Sequence, residues 1–290
     1  MTNAQLSGES PAGPSAGPGR PQWTTVHVLP SAAEEAGASA NPVGARLAGL
    51  AGLRPGDRVL DVGCGRGAVL FAALAEVGPR GAVTGVDPVP GTVRATGATA
   101  AGRGLRNVRV ELGDVRALDF PDASFDVALS SAALVATPDP AAALASLHRV
   151  LAPGGRLGFT AFGADSPGWD RPGAALGAFL PPWAAGLRPG GAARRNALGG
   201  SPEEAAELLL RCGFGEVRSE QHDAVSHYPD AHSWWREQRT GDWRAALEAV
   251  PAEQLDRART AALAELARLA GPDGGLTKRT AVRYTTALRR

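Results

Sequence analysis

The stretch Val59-Leu60-Asp61-Val62-Gly63-Cys64-Gly65-Arg66-Gly67 constrains this 290-residue chain more than any other. A short apolar run (Asp57–Val62) reads as a buried strand. It meets three alternating glycines and then Ala68–Val77, where Leu70, Ala73, Leu74 and Val77 line one helical face. A glycine turn between strand and helix lets backbone approach a ligand closely, and the helix start offers unpaired N–H groups. Gly63, Gly65 and Ala68 satisfy the spacing of a dinucleotide-binding turn. Asp87 ends the next strand, roughly twenty residues on, where a carboxylate grips a ribose diol. Taken alone, the turn says nucleoside-type ligand or simply a tight strand–helix connection.

The rest of the chain repeats the same alternation. Strands are expected at Ala82–Val86, Val108–Leu112, Phe125–Ser130, Arg156–Phe162, Phe214–Glu220 and Ala281–Thr286. Helices are expected at Thr92–Ala101, after the Asp139-Pro140 cap, after the Ser201-Pro202-Glu203-Glu204 capping box, and over Ala252–Leu269. Apolar strands alternating with helices mean a parallel sheet covered on both faces. The expected fold is therefore α/β and Rossmann-like. It has a seven-stranded, mostly parallel sheet, an antiparallel last strand at the edge, helices on both faces and a helical cap.

Composition enters mainly through what it excludes. The 30 basic and 29 acidic residues leave a net charge of +1, too little field to hold a nucleic acid or a membrane surface. No apolar run is long enough to span a bilayer, and the N-terminus lacks a signal pattern. Two cysteines, Cys64 and Cys212, make no disulfide framework, so a cytoplasmic setting is expected. The chain is expected to act as a monomer or homodimer. Glycine and proline crowd residues 8–21 and 163–200. Residues 1–21 read as a disordered leader and 22–290 as one domain.

Four further features sharpen the ligand. Asp61 precedes Gly63 by two, Gly67 follows Gly65 by two, Gly113-Asp114 ends the third strand, and Leu151-Ala152-Pro153-Gly154-Gly155 precedes the fifth. With VLDVGCGRG, VTGVDP and LGD at these spacings, the sequence resembles the class I S-adenosylmethionine (SAM)-dependent methyltransferases. It is most similar to the small-molecule type that includes ubiquinone and menaquinone methyltransferases. The resemblance is closest over residues 42–162 and implies a SAM-binding core there, SAM as cofactor and a small-molecule substrate as partner. It implies that Asp61, with Gly63, Cys64, Gly65 and Gly67, receives the amino acid end of SAM. Asp87, followed by Pro88, would accept from the ribose hydroxyls. Asp114 would accept from the adenine amino group, Val115 would offer a backbone N–H, and Ser130 would touch the methionine part near the methyl.

The same resemblance excludes several relatives. Amino-directed nucleic-acid methyltransferases carry Asn/Asp-Pro-Pro-Tyr after the fourth strand, where this chain has Ser130-Ser131-Ala132-Ala133-Leu134. Neither cysteine is placed as a nucleophile. His222, His227 and His232 recur every five residues, which suits no ordinary metal spacing, so no metal is expected.

Residues 163–200 and 222–270 are expected to cap the strand ends and hold the acceptor. All six tryptophans lie outside the core, and Trp23, Trp169, Trp183, Trp234 and Trp235 are the candidate substrate wall. The other reading of these rings is a small core of the cap itself. A hydroxyl or amine acceptor needs a base, and His27, His222 and His227 are the candidates. The expected function is methyl transfer to a small-molecule oxygen, nitrogen or carbon in secondary metabolism. The alternative is a cyclase that keeps SAM without transferring its methyl.

Overall fold

The structure is a computed structural model that describes residues 42–187, 196–240 and 243–290. The leader expected at residues 1–21, and Trp23 and His27, lie outside the described residues.

The chain enters through α1 (Pro42–Leu50) and then alternates. In order come β1 (Arg58–Val62), α2 (Ala68–Val77), β2 (Ala82–Asp87), α3 (Pro90–Gly102), β3 (Val108–Leu112), β4 (Phe125–Ser131), the single turn α4 (Ala133–Ala136), α5 (Pro140–Val150) and β5 (Leu151–Asp165). After β5 come α6 (Asp170–Gly177), α7 (Pro202–Arg211), β6 (Phe214–Tyr228), α8 (Ala231–Thr240), α9 (Arg244–Ala249), α10 (Leu255–Ala267) and β7 (Leu276–Arg289).

The seven strands form one sheet in the order β3-β2-β1-β4-β5-β7-β6. Neighbours from β3 to β5 pair parallel, and β7 runs antiparallel to both β5 and β6. The last strand is antiparallel as expected, but it is interior, and β6 takes the edge. The α7 connection carries β6 one place beyond β5, and β7 fills the gap between them.

Both strands are longer than the apolar pattern suggested. They pair from Phe214↔Arg289 to Tyr228↔Leu276, each supplying the other's hydrogen bonds. That ladder keeps polar positions such as His222 and Ser226 extended, where no alternation of apolar residues marks a strand. Residues 222–228 therefore belong to the sheet.

Two cores cover the sheet. On one face α1 and α2 bury Leu47, Leu70 and Val77 against Val59, Val127 and Tyr284. On the other, α5 and α7 bury Leu144, Leu147 and Leu209 against Leu60, Ala128 and Phe159. The helix caps match their sequence signals. Asp139 accepts from the Ala142 N–H at 3.0 Å, and Ser201 and Glu204 close a reciprocal capping box. A third core lies in the cap, where α6, α8, α9 and α10 enclose Trp169, Trp234, Trp235 and Trp243.

Candidate functional site

In an open α/β sheet, ligands bind beyond the strand C-termini, where strand order reverses. Here that point lies between β1 and β4. The Gly63–Gly67 turn leaves β1 there and is fastened to β2. The Gly63 and Cys64 N–H groups both donate to the Val86 carbonyl, at 2.8 and 3.1 Å. The Gly65 N–H donates to Asp87 Oδ2 at 3.1 Å, and the Thr96 hydroxyl of α3 donates to the Gly65 carbonyl at 2.6 Å.

Two of the glycines are required by geometry. Gly63 has φ +66°, and a Cβ there would fall 2.2 Å from the Ala133 Cβ. Gly67, the N-cap of α2, has φ +91°, and a Cβ there would strike the Phe71 ring at 2.4 Å. A side chain at either place collides as well as straining the backbone.

Asp61 lies beneath this turn, 1 % exposed, and neither carboxylate oxygen has a hydrogen-bond partner among the described residues. Burial pushes its carboxyl up to about 8, the Leu70 backbone opposes the rise, and the Asp87 charge adds to it. A buried acid with no cation beside it is costly. It suits a cationic group brought by a ligand, such as the ammonium at the amino acid end of SAM.

Asp87 ends β2, 7 % exposed. Its two oxygens each accept one backbone N–H, from Gly65 and from Val89 at 2.9 Å. A carboxylate has about four acceptor directions, so capacity for two hydroxyls remains. Pro88 follows on the surface.

Asp114 follows β3 and opens a short 3-10 turn over Val115–Ala117. Burial alone would raise its carboxyl, but the hydrogen bonds and charge of Arg116 outweigh this and hold it below the usual carboxylate range. Val115 is half-buried beside it. The donors and acceptors of Asp61, Asp87 and Asp114 thus fit an ammonium, a diol and an adenine in that order along the sheet edge.

Cys64 turns away from this edge into the α1/α2 core, 4 % exposed. Burial pushes its thiol up, so it is no nucleophile. Ser130 is fully buried; its hydroxyl donates to the Val62 carbonyl at 3.0 Å and accepts from the Leu134 N–H at 3.2 Å. Those bonds tie the end of β1 to the turn after β4.

Two residues of that turn escaped the sequence reading. Ser131, half-buried, places Oγ 3.3 Å from the Thr160 hydroxyl at the end of β5. Ala132 sits at φ +65°, an uncommon conformation for a residue with a Cβ. Nothing in an alanine signals a left-handed position. The twist carries Ala133 down against Gly63.

The candidate bases are not gathered at the turn. The His222 Nε2 accepts from Arg46 Nη2 at 2.5 Å and lies 3.4 Å from Glu220. Arg46 also covers the Tyr284 ring, 5.8 Å from its centroid. His227 is exposed and bonds Thr277 Oγ1 through Nδ1 at 3.1 Å. Of the candidate wall, Trp169, Trp234 and Trp235 are 8 %, 5 % and 6 % exposed in the cap core, and Trp183 is 74 % exposed. No cluster of three or more potential metal ligands occurs among the described residues, and no helix there is long and apolar enough to cross a membrane.

A sheet of this order, with a buried acid under a glycine turn and further acids ending β2 and following β3, defines a Rossmann-like nucleoside-cofactor enzyme. Comparison with known proteins makes this specific. A family model described as a methyltransferase domain matches residues 53–168. The nocamycin O-methyltransferase of Saccharothrix syringae is 43 % identical over 201 residues, which are 66 % of this chain and 71 % of that protein. An aklanonic acid methyltransferase of Streptomyces sp. (strain C5) is 42 % identical over 119 residues, 41 % of this chain and 54 % of that one. The crystal structure of the YcgJ protein from Bacillus subtilis shares the fold, with TM-score 0.56 and 20 % identity over 86 % of this chain and 98 % of that one. The chain belongs to the class I SAM-dependent methyltransferases. It is an enzyme that methylates small molecules of secondary metabolism, with SAM as donor.

Proposed function

We propose that this enzyme methylates an acidic oxygen of a polyketide-type acid, giving a methyl ester. The 43 % identity to an O-methyltransferase over two thirds of the chain carries the choice of oxygen. The acid follows the second relative, whose name specifies aklanonic acid.

Asp61 and the backbone of Gly63, Cys64, Gly65 and Gly67 hold the amino acid end of SAM, Asp87 its ribose, and Asp114 with the Val115 N–H its adenine. Pro88, exposed next to Asp87, borders the ribose. When bound, SAM supplies a methyl group on a positively charged sulfur. Ser130 keeps the post-β4 turn in place. Asp61 pairs with Leu129 across the β1/β4 ladder, so Ser131 stands level with Gly63, and Ser131 in turn pairs with Thr160. These two hydroxyls orient the acceptor beside the methyl. Residues 163–187 and the helices after β6 exclude water above it, with Trp183 as the exposed ring of that wall.

A carboxylic acid is already ionised near neutral pH, about three units above its pKa, so its oxygen attacks without a base. One ring nitrogen of each histidine is already engaged, His222 Nε2 with Arg46 and His227 Nδ1 with Thr277. The chain supplies alignment, proximity and dryness. We place the enzyme in the cytoplasm, as a monomer or homodimer.

The test uses methyl-labelled SAM with an anthracene carboxylic acid, the matching carboxamide and a hydroxyanthracene. Label is expected in the acid alone, released as methanol by alkali, as an ester requires. An alkali-stable product, or conversion of the acceptor without label, contradicts the proposal.

A further inference from the structure

The adenine end of the site holds a contact that cofactor binding alone does not explain. Four hydrogen bonds join Arg116 to Asp114. The Arg116 backbone N–H donates to Oδ1 at 2.9 Å, Nε donates to Oδ1 and Oδ2 at 3.1 and 3.0 Å, and Nη2 donates to Oδ2 at 2.6 Å. The pair is half-buried, with side chains 24 % and 32 % exposed. Its arm is tied to the ribose acid, since the Gly113 N–H donates to the Asp87 carbonyl at 3.2 Å.

We propose that Arg116 is a positioning residue for nucleoside recognition, holding the Asp114 carboxylate so that one acceptor direction faces the adenine amino group. This rests on the SAM reading of the site. The guanidinium lies side-on along both oxygens, and the backbone N–H takes a further direction on Oδ1. The single Nε–H is shared between the two oxygens, so the four contacts use three protons, and of the four or so directions a carboxylate offers one remains. An unpaired aspartate on an exposed turn would rotate among several staggered positions. Held in one, it selects for a base with a donor at that point. Adenine presents an amino group there. Hypoxanthine presents a carbonyl oxygen, which a fixed, ionised carboxylate repels.

Calorimetry on the full chain tests this with S-adenosylhomocysteine and S-inosylhomocysteine. Wild type should favour the adenine ligand by about tenfold or more. R116A should weaken it by about tenfold while changing the hypoxanthine ligand little, so discrimination collapses. R116K should fall between, because an ammonium cannot span both oxygens. In a D114A background, R116A should have no further effect. Tighter adenine binding by R116A would make Arg116 a competitor and overturn the proposal. Equal weakening of both ligands, or a loss that persists without Asp114, would make it merely structural. If wild type bound neither ligand, the SAM reading itself would fall, and with it this proposal.

Discussion

Gly63 and Ala133 pack so closely that a Cβ on Gly63 would lie 2.2 Å from the Ala133 Cβ. The turn after β1 and the turn after β4 therefore support each other, and the cofactor loop is shaped partly by a residue seventy positions away. G63A must distort one turn or the other. It should abolish measurable S-adenosylhomocysteine binding in calorimetry and lower stability by more than about 1–2 kcal/mol. Gly97, inside α3 with nothing near its Cβ position, is the contrast. G97A should stabilise the fold by about 0.5–1 kcal/mol in denaturant unfolding.

The same pair explains Ala132, whose φ of +65° brings Ala133 to its place. A132G removes that strain. It should raise the melting temperature by about 2 °C, since relief of about 1 kcal/mol is offset in part by added chain freedom. An unchanged or lower melting temperature would show the turn to be unstrained.

Asp61 makes a pH prediction whose sign runs against ordinary acid denaturation. Its carboxyl, ordinarily 3.8, is raised to about 8 by burial. The folded state thus binds a proton that the unfolded state has lost, and stability falls as pH rises between those two values. Above about pH 8 the loss levels off. D61N lacks this slope. Without ligand it should melt higher than wild type at about pH 8 and lose the difference near pH 4, while binding SAM at least about tenfold more weakly.

The tryptophans divide sharply. Trp234, in the cap core, should cost about 3–5 kcal/mol when changed to alanine. Trp183, 74 % exposed, should cost under about 0.5 kcal/mol. As part of the acceptor wall, W183A should raise KM for the acceptor without altering SAM binding.

How much of this was legible in the sequence depends on where the signal lay. The glycine turn, its helix and the caps at Asp139 and Ser201 are local, and each residue type states its own requirement. The full lengths of β6 and β7 were not legible, because their polar residues are held extended by each other and not by a buried face. The tryptophans marked a feature correctly but left its nature open. Aromatic content alone does not separate a substrate wall from a cap core, and only packing places Trp169, Trp234 and Trp235 inside. The candidate histidines failed to converge on the turn for a related reason. On β6, His222 and His227 are five positions apart, so they face opposite sides of the sheet.

Proton release on cofactor binding tests the site most directly. S-adenosylhomocysteine should be titrated into wild type and D61N at pH 7 (about one unit below the Asp61 value) in buffers of different ionisation enthalpy. An ammonium seated on Asp61 must drive off its proton. Wild type should therefore release up to one proton more than D61N and bind more tightly. Equal proton release and equal affinity in the two proteins would contradict an Asp61-anchored cofactor.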